Sequence, residues 1–532
     1  MTAANRYPRF RAPAGNGEVF CDPSWNSLLE LVEERKNFAV DSQVLLFGTP
    51  IRELSIQARK ATVSAAEAYM RSYTDTESLP HGDSALIATG HQPELFHPGV
   101  WYKNFSADRL AKSSGGMALN LIIDSDLCRS PGIQVPTGMP DNPKVNFLAF
   151  DKISAQLPYE ERKVIDHELW NTFGERLANA IGSLVKDPLV RDWWSKVVEP
   201  GRGRNLGLAL SQARHRQEHS WGAKTWELPQ SILCQTDAFR HLALHLFVHA
   251  DSFQNAYNSA LEEYRSAHHL RNRAQPVPNL HRDQEWIESP FWLWSTSDPI
   301  RRPLYVRVGR NECQLTDRYA FVESLPINSD SESATALERM AGWEASGIKI
   351  RTRALTTTLF IRLLLADVFI HGIGGAKYDQ VTDSLCRQFF GISLPPYATV
   401  SATLHLPVQS SDQNPVLEGN FRQKLRDLLF HPERHLDHMQ RSPEDELQIE
   451  QLIRTKSKWI QTEKTPENAA RRHREITNAN RQLHKWLSGY QQFLENALEQ
   501  SKRQARKMQI LNSREYSYCL FPEAILKTFL LE

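Results

Sequence analysis

Residues 89–103, TGHQPELFHPGVWYK, join a short apolar run to a helical pattern through a loop rich in histidine, glutamine and glycine. The preceding run, residues 85–88, is short and apolar, as in a buried strand, and apolar residues recur at helical spacing from Trp101 onward. A Gly115-Gly116 turn and a second apolar run, residues 118–123, follow. The sequence therefore predicts a strand-helix-strand unit, which is the building block of a parallel α/β sheet.

The loop in this unit is a predicted binding site. In open parallel sheets the carboxyl ends of the strands and the amino ends of the following helices meet in one crevice. A helix N-terminus has unpaired N–H groups and the positive end of the dipole, and both suit a phosphate or a carboxylate. His91 and His97 are candidate catalytic residues, which would donate to phosphate oxygens or transfer protons, and Lys103 would balance anionic charge. The other predicted binding residues here are Gly90, Gln92, Gly99 and Tyr102.

Two acidic residues follow the second apolar run of the unit. Asp124 and Asp126 are predicted as catalytic residues that orient a hydroxyl, an ammonium or a hydrated magnesium ion. In the alternative interpretation, these aspartates and the two histidines only cap turns. The sequence leaves both interpretations open.

A second glycine-rich loop follows residues 368–370, which read as another short strand after a helix from about Thr356 to Asp367. Three glycines within four positions allow a backbone to approach a ligand closely and to aim N–H groups at an anion. The loop matches neither a Walker loop nor a dinucleotide fingerprint, so a tight structural turn is the alternative. The predicted binding residues here, ahead of Asp379, are His371, Gly372, Gly374, Gly375, Lys377 and Tyr378.

Composition narrows the class of protein. The 532 residues include 63 basic and 62 acidic side chains, so no net charge favours nucleic acid or an anionic membrane. No apolar run approaches the roughly 20 residues that span a bilayer, and no secretory signal opens the chain. The six cysteines are scattered without a C-x-x-C pair, which argues against a disulfide framework or a thiolate zinc site. We expect a cytoplasmic protein with small-molecule substrates.

The pattern also predicts how the chain is organised. Residues 1–80 form a helical or irregular segment on the core, residues 81–416 form the core with an inserted region at about 150–300, residues 417–511 form a helical arm, and residues 512–532 return to the core. Ser442-Pro443 and Thr465-Pro466 are helix starts, the second for one helix that runs to about Leu511. A coiled-coil seam, which predicts a homodimer, is formed by Ile476, Ala479, Leu483, Trp486, Tyr490, Phe493 and Ala497.

With these features in order, the chain resembles the bacterial enzymes assigned to the last, cysteine-adding step of bacillithiol synthesis. The resemblance lies in Gly90-His91-Gln92, in Pro98-Gly99 before Tyr102-Lys103, in the acidic cluster at Asp124, in Gly374-Gly375 before Tyr378, and in residues 514–522 after the coiled coil. It implies a Rossmann-like nucleotidyltransferase-type core with helical insertions and a long C-terminal coiled coil that mediates dimerisation.

The chain departs from that family in the loops that would contact substrate. His91 stands where the family has Gln, Pro98-Gly99 reverses the usual dipeptide, Lys377 replaces an acid, and an acidic run has shrunk to two aspartates. The resemblance implies an ATP-dependent ligase, with magnesium as a possible companion of ATP, that joins a small amine or amino acid such as cysteine to a carboxylate- or sugar-containing acceptor. The alternatives are a nucleotidylyltransferase that releases pyrophosphate and a non-catalytic dimeric protein that binds a ligand.

Overall fold

The computed structural model describes residues 7–36, 44–75, 84–198, 205–327, 330–408, 418–438 and 442–532. The chain divides into two compact units. The first, here called the core unit, comprises Met1–Thr137, Val145–Pro407 and Arg514–Glu532. The second, here called the helical unit, comprises Gly138–Lys144 and Val408–Ser513.

Strands and helices alternate through most of the core unit, and helices predominate in the helical unit. The strands in chain order are β1 (Val19–Asp22), β2 (Leu45–Leu46), β3 (Thr49–Pro50), β4 (Leu86–His91), β5 (Met117–Ile122), β6 (Gly132–Met139), β7 (Asn142–Ala149), β8 (Trp226–Pro229), β9 (Arg282–Asp283), β10 (Trp286–Ser295), β11 (Arg302–Val308), β12 (Glu312–Thr316), β13 (Val322–Pro326), β14 (Ile348–Thr352), β15 (Val368–His371) and β16 (Tyr397–Ala402). The helices in chain order are α1 (Trp25–Lys36), α2 (Ile51–Arg71), α3 (Pro98–Ser114), α4 (His167–Ile181), α5 (Val190–Val198), α6 (Leu206–Ser220), α7 (Gln230–Leu233), α8 (Asp237–Val248), α9 (Ala250–His268), α10 (Asp330–Ala345), α11 (Ala354–Leu364), α12 (Ile373–Phe390), α13 (Glu418–Phe430), α14 (Pro443–Gln461), α15 (Ala469–Trp486), α16 (Ser488–Leu511) and α17 (Glu523–Leu531).

A central sheet organises the core unit. Its described strands lie in the order β1-β16-β15-β4-β5-β8, and every neighbouring pair is parallel except β1 with β16. All side chains of β5 are buried, as expected where helices cover both faces of a parallel sheet. The predicted α/β class with a parallel sheet is confirmed, as is the strand-helix-strand unit formed by β4, α3 and β5.

The connections of the central sheet reverse direction between β4 and β15. From β4 the chain passes through α3 to β5 on one side, and from β15 it passes through α12 to β16 on the other. β4 and β15 are parallel neighbours, with Ile370 opposite Thr89. Because such crossovers are right-handed, α3 and α12 lie on opposite faces of the sheet. A crevice therefore opens at the carboxyl ends of β4 and β15, which is where ligands bind in open α/β sheets.

A second, antiparallel sheet lies in the core unit. Its described strands have the order β13-β12-β11-β10-β14, with β9 paired to β10. The sequence pattern predicts an inserted region that ends at about residue 300 and does not indicate this sheet, which continues to Thr352. Its pairing is non-local, since Phe291 of β10 pairs with Thr352 of β14, and local periodicity does not report such pairs.

The segment before residue 81 also contributes a strand. Val19–Asp22 pairs with β16 and forms an edge of the central sheet, whereas the sequence pattern predicts only helical or irregular structure there. None of the described helices is long and apolar enough to cross a membrane. All six cysteines are free thiols.

The helical unit is a bundle with its own apolar core. Ser442 caps α14 through a capping box with Asp445, as its sequence predicts. The core of the bundle comprises the buried residues Leu428, Leu436, Ile449, Leu483, Leu487 and Leu494.

The expectation of one helix from Thr465 to Leu511 is wrong. Residues 466–468 form a turn, α15 begins at Ala469, and Leu487 interrupts the helix before α16. Leu483 of α15 and Leu494 of α16 are both buried in the core of the bundle. The interruption at Leu487 therefore allows two helices to pack into the same apolar core. Part of the predicted coiled-coil seam is therefore buried within its own chain, while Phe493 remains 60% exposed.

Candidate functional site

A cavity of about 500 Å³ opens at the carboxyl ends of β4 and β15. Both loops singled out in the sequence line it, together with the first turns of α3 and α12. The cavity thus brings together eleven of the predicted site residues, which are Gly90, His91, Gln92, His97, Gly99, Lys103, His371, Gly372, Gly374, Gly375 and Tyr378.

Four predicted site residues do not line this cavity. Tyr102 is buried on another side of α3, where its ring contacts that of Phe529 at 5.5 Å between centroids. Lys377 is exposed on α12 and is not among the residues that line the cavity. Asp124 and Asp126 are held elsewhere by the partners described next.

Asp124 is a buried structural residue. Its carboxylate accepts hydrogen bonds from the backbone N–H of Ser231 at 2.9 Å and from the Ser231 hydroxyl at 2.5 Å, at the start of α7. Burial raises the pKa of Asp124 against the effect of these bonds. Asp124 does not line the cavity and both of its oxygens accept bonds from Ser231, as in the capping alternative, while its predicted role in orienting an acceptor stays a prediction.

Asp126 acts on the cavity through a neighbour. It accepts hydrogen bonds from Gln92 Nε2 at 2.9 Å and from Arg301 Nη1 at 3.1 Å. Burial alone would raise the pKa of Asp126, but the Gln92 bond and the Arg301 charge lower it overall. Gln92 lines the cavity and Asp126 does not, so Asp126 is linked to the cavity through Gln92, and its catalytic role stays a prediction.

His97 is the N-cap of α3, and Pro98 takes the first helical position as its sequence predicts. The Gly99 N–H donates to His97 Nδ1 at 3.1 Å. Burial and the Arg514 charge lower the pKa of His97 to about 4, so the ring is neutral near pH 7. With Nδ1 accepting a bond, the proton must be on Nε2, which lies 3.9 Å from a Glu515 carboxylate oxygen.

His91 has the opposite tautomer. Its Nδ1 lies 3.1 Å from the carbonyl oxygen of Gln92, so Nδ1–H donates and Nε2 keeps its lone pair. Burial and the Lys103 charge lower the pKa of His91 to about 3. At neutral pH His91 is therefore a hydrogen-bond acceptor. A neutral His91 with its Nδ1–H bonded to Gln92 offers an acceptor rather than a donor, so of its two predicted roles proton transfer suits this tautomer better, and both stay predictions.

Lys103 is a buried cation without a carboxylate partner among the described residues. Its residue is 4% exposed, and its Nζ donates to the Gly90 carbonyl at 2.9 Å. Burial and the Arg214 charge lower the pKa of Lys103 to about 8, so most of the population is charged at pH 7. An unpaired buried charge is costly, and a bound anion would neutralise it.

The glycines around the cavity are required for different reasons. A methyl group on Gly99 would lie 2.0 Å from the Ala402 carbonyl oxygen, and one on Gly375 would lie 2.4 Å from His371 Nδ1. A methyl group on Gly374 would meet nothing within 4 Å. Gly99 and Gly375 are thus required by protein packing, whereas Gly374 leaves space at the start of α12 that a ligand can occupy.

The first turn of α12 offers backbone donors. No side chain caps this helix, and the Ala376 N–H is the first that bonds back, to the Gly372 carbonyl. The N–H groups of residues 373–375 therefore have no partner within the helix. The start of α3 also lines the cavity, but His97 caps it by accepting the Gly99 N–H, so α3 adds the positive end of its dipole rather than free N–H donors.

Several lining residues were not predicted from the sequence. Arg514 lies beside Ser401, with its Nη2 donating to the Ser401 hydroxyl at 3.2 Å, and α11 supplies Thr357, Thr358 and Ile361. Residues 514–522 did stand out as a motif, but only the tertiary return of the chain shows that Arg514 reaches the cavity.

Neither a protein-family model nor a curated protein sequence matches this chain. The fold and the cavity together define a mixed α/β protein with a cavity at the reversal of its central sheet.

Proposed function

We propose that the cavity binds the phosphates of a nucleotide and that the protein is an ATP-dependent ligase-like enzyme. The proposed substrates are a small amine or amino acid and a small carboxylate- or sugar-containing acceptor. The observation that carries this proposal is the buried Lys103, unpaired with any described carboxylate and facing a cavity between two helix N-termini. On this proposal the core is a doubly wound, Rossmann-like fold of the nucleotidyltransferase type.

The composition of the cavity supports an anionic ligand with an apolar part. Lys103 contributes positive charge, Arg514 contributes a guanidinium that pairs with the exposed Glu515 at 3.5 Å, and no aspartate or glutamate is among the lining residues. Val100, Ile361 and Phe369 are apolar lining residues, which suit a nucleoside base. The volume of about 500 Å³ falls within the range of small-molecule sites.

The chemistry of amide formation accounts for the polar residues. A carboxylate must be activated by phosphoryl or adenylyl transfer before an amine can displace the activating group. Lys103, the N–H groups at the start of α12 and the His97 Nε2–H would stabilise the charge that develops on phosphate oxygens during this transfer. Gln92, oriented by Asp126, offers an amide group to the second substrate.

Magnesium does not fit the residues of this cavity. A magnesium ion prefers carboxylate oxygens, and the two aspartates predicted to hold it are engaged with Ser231, Gln92 and Arg301. Among the described residues no group of three or more histidines, cysteines, aspartates and glutamates could hold a metal ion. We therefore derive no step through a protein-bound metal.

The test of this proposal is nucleotide binding by Gly374→Ala. A methyl group there meets no protein atom within 4 Å, so the fold should tolerate it, with a gain of up to about 1 kcal/mol from helix propensity. We expect the affinity for ATP, measured by calorimetry, to fall at least about tenfold, because the methyl group fills the space beside the free N–H groups.

Gly489→Ala is the matched control. Gly489 also occupies the first turn of a helix, α16, and a methyl group there also meets nothing within 4 Å. Absence of ATP binding by the wild-type protein would refute the proposal. Equal ATP affinities of Gly374→Ala and Gly489→Ala would show that ATP does not occupy the space beside Gly374. ATP–pyrophosphate exchange with candidate carboxylates then distinguishes an adenylyl-transferring enzyme from a phosphate-releasing ligase, and a lack of any turnover favours a ligand-binding protein.

We also propose a homodimer formed through the helical unit. Large apolar side chains are exposed there, namely Leu429, Phe430, Leu447, Ile460 and Phe493. Phe493 belongs to the predicted seam and is not used by the core of the bundle. Deleting the arm would also remove Leu483 and Leu494 from that core, so a surface substitution is the cleaner test.

Phe493→Glu is expected to shift the protein from dimer to monomer in sedimentation velocity at micromolar concentration. The physical reason is that a carboxylate in an apolar interface loses its hydration. Ile56→Glu, at a similarly exposed position of the core unit, should leave the dimer intact. A wild-type protein that sediments as a monomer would rule out the dimer.

A further inference from the structure

A histidine–aspartate pair lies in the wall of the cavity. His371 ends β15 and Asp379 lies two turns into α12, and His371 Nε2 is 2.5 Å from Asp379 Oδ2. Asp379 is fully buried, while His371 lines the cavity. The pair therefore connects the protein interior to the ligand space.

The carboxylate of Asp379 is ionised and fixed in place. Although burial opposes its charge, His371 and Arg362 lower the pKa of Asp379 to about 2. Arg362 Nη1 lies 3.2 Å from Asp379 Oδ2, and Arg362 is itself held by Asp383 and by the Pro395 carbonyl. A fixed carboxylate orients the imidazole and selects its tautomer.

His371 Nδ1 is the ring nitrogen that does not contact Asp379, and it is available to a ligand in the cavity. When the His371 ring is neutral, Asp379 accepts the Nε2–H and Nδ1 carries the lone pair. No described residue hydrogen-bonds to Nδ1, and the absence of a side chain on Gly375 is what keeps its surroundings open. His91 and His97 differ, since neither is paired with a buried carboxylate.

We propose that His371 is the catalytic base of the reaction, with Nδ1 accepting a proton from the attacking nucleophile and Asp379 acting as its positioning residue. This inference rests on the proposed function. A carboxylate oxygen of the substrate first attacks ATP, which gives an acyl phosphate with release of ADP or an acyl adenylate with release of pyrophosphate. The amine nitrogen then attacks the acyl carbon. A C–N bond forms, and the bond between the acyl carbon and the bridging phosphate oxygen breaks.

Each group of the cavity has a defined role in the attack of the amine on the activated carboxylate. The phosphate or AMP leaves with the bonding electron pair, towards Lys103 and the α12 N-terminus, while the nitrogen loses one proton to His371 Nδ1. Asp379 stabilises the resulting imidazolium, and the proton is later released to solvent. No oxidant or reductant is needed.

The experiment combines chemical labelling with nitrogen-15 spectroscopy on the full-length protein. Diethyl pyrocarbonate modifies unprotonated imidazole nitrogens, and peptide mass spectrometry separates His371 from the other histidines. We expect His371 to be labelled, and saturating ATP to slow that labelling at least about tenfold. In protein labelled with [15N]histidine, the signal lost in His371→Gln should show a protonated Nε2 and an unprotonated Nδ1.

Asp379→Asn is expected to change that tautomer signature, whereas Asp383→Asn is the matched control and should not. Asp383 pairs with the same Arg362, but the contact of His371 is with Asp379. His371→Gln should bind ATP within about threefold of wild type and lower ATP turnover at least about 100-fold, as expected for loss of a general base.

The outcomes separate the two proposals. Wild-type ATP turnover in His371→Gln, a protonated Nδ1 in the wild-type protein, or labelling unaffected by ATP would overturn the role of His371 while ATP binding stands. A wild-type protein that binds no ATP would overturn the proposed function itself.

Discussion

We expect Lys103→Met to lower the affinity for ATP at least about 100-fold and to raise the stability of the ligand-free protein. Methionine preserves the apolar stem that packs in the core but removes the buried charge, which is 4% exposed and has no carboxylate partner among the described residues. The depression of its pKa from 10.5 to about 8 corresponds to roughly 3 kcal/mol at neutral pH, less what the bond to Gly90 returns. Calorimetry and thermal unfolding measure the two effects.

The pH dependence of this effect has a definite sign. A lysine with a lowered pKa in the folded protein destabilises it fully below pH 8, and the penalty is relieved as pH rises from about 8 to 10.5. The stability gain of Lys103→Met should therefore shrink over that window. ATP affinity of the wild type should fall as pH rises from 7 to 9, because Lys103 loses the proton that attracts phosphate.

Lys112→Met is the matched control, on the same helix. Lys112 is half exposed and paired with Asp108 at 2.6 Å, so its loss should change neither property by more than about 1 kcal/mol. A Lys103→Met protein that binds ATP with wild-type affinity would remove the main support for the proposed function.

The second large effect is expected from Gly99→Ala, which should destabilise the core unit by about 3 kcal/mol or prevent its folding. The added methyl group would lie 2.0 Å from the Ala402 carbonyl oxygen and 3.0 Å from Arg514 Nη2. Neither the backbone of β16 nor the first turn of α3 can move without disturbing the central sheet. Urea unfolding followed by tryptophan fluorescence measures the change.

Gly374→Ala serves as the control for stability, since its methyl group meets no protein atom within 4 Å. If Gly99→Ala unfolded at the same urea concentration as the wild type, the close approach of α3 to β16 would not exist in solution. Such a result would also place the amino end of α3 elsewhere than at the cavity.

The sequence predicted the local features of the site well. His97, Pro98 and Gly99 form a helix start whose chemistry is local, and the glycine-rich loop at residues 372–375 does begin a helix after a short strand. These features follow from capping groups, proline geometry and apolar spacing within a few residues. The same rules located the capped start of α14 at Ser442.

Features that depend on residues far apart in the chain could not be predicted from local sequence patterns. Asp124 was expected at the site, but Ser231, which is 107 positions away, holds both of its oxygens. One helix was expected to continue through Leu487. Instead, Leu487 packs in an apolar core with leucines of α13 and α14, and the helix is interrupted there. Arg514 reaches the cavity only because the chain returns to the core unit after the helical unit.

The sequence by itself determined the alternation of strands and helices and the two loops rich in glycine and histidine, since helix caps and apolar periods act over a few residues. Only the tertiary structure decided that these loops share a cavity, because β4 and β15 pair across 281 positions, as in the bond from Thr89 to Ile370. Tertiary burial also decided the charge states. Desolvation makes His91 and His97 neutral and leaves Lys103 a cation without a carboxylate partner among the described residues, a property of their surroundings rather than of the residue types.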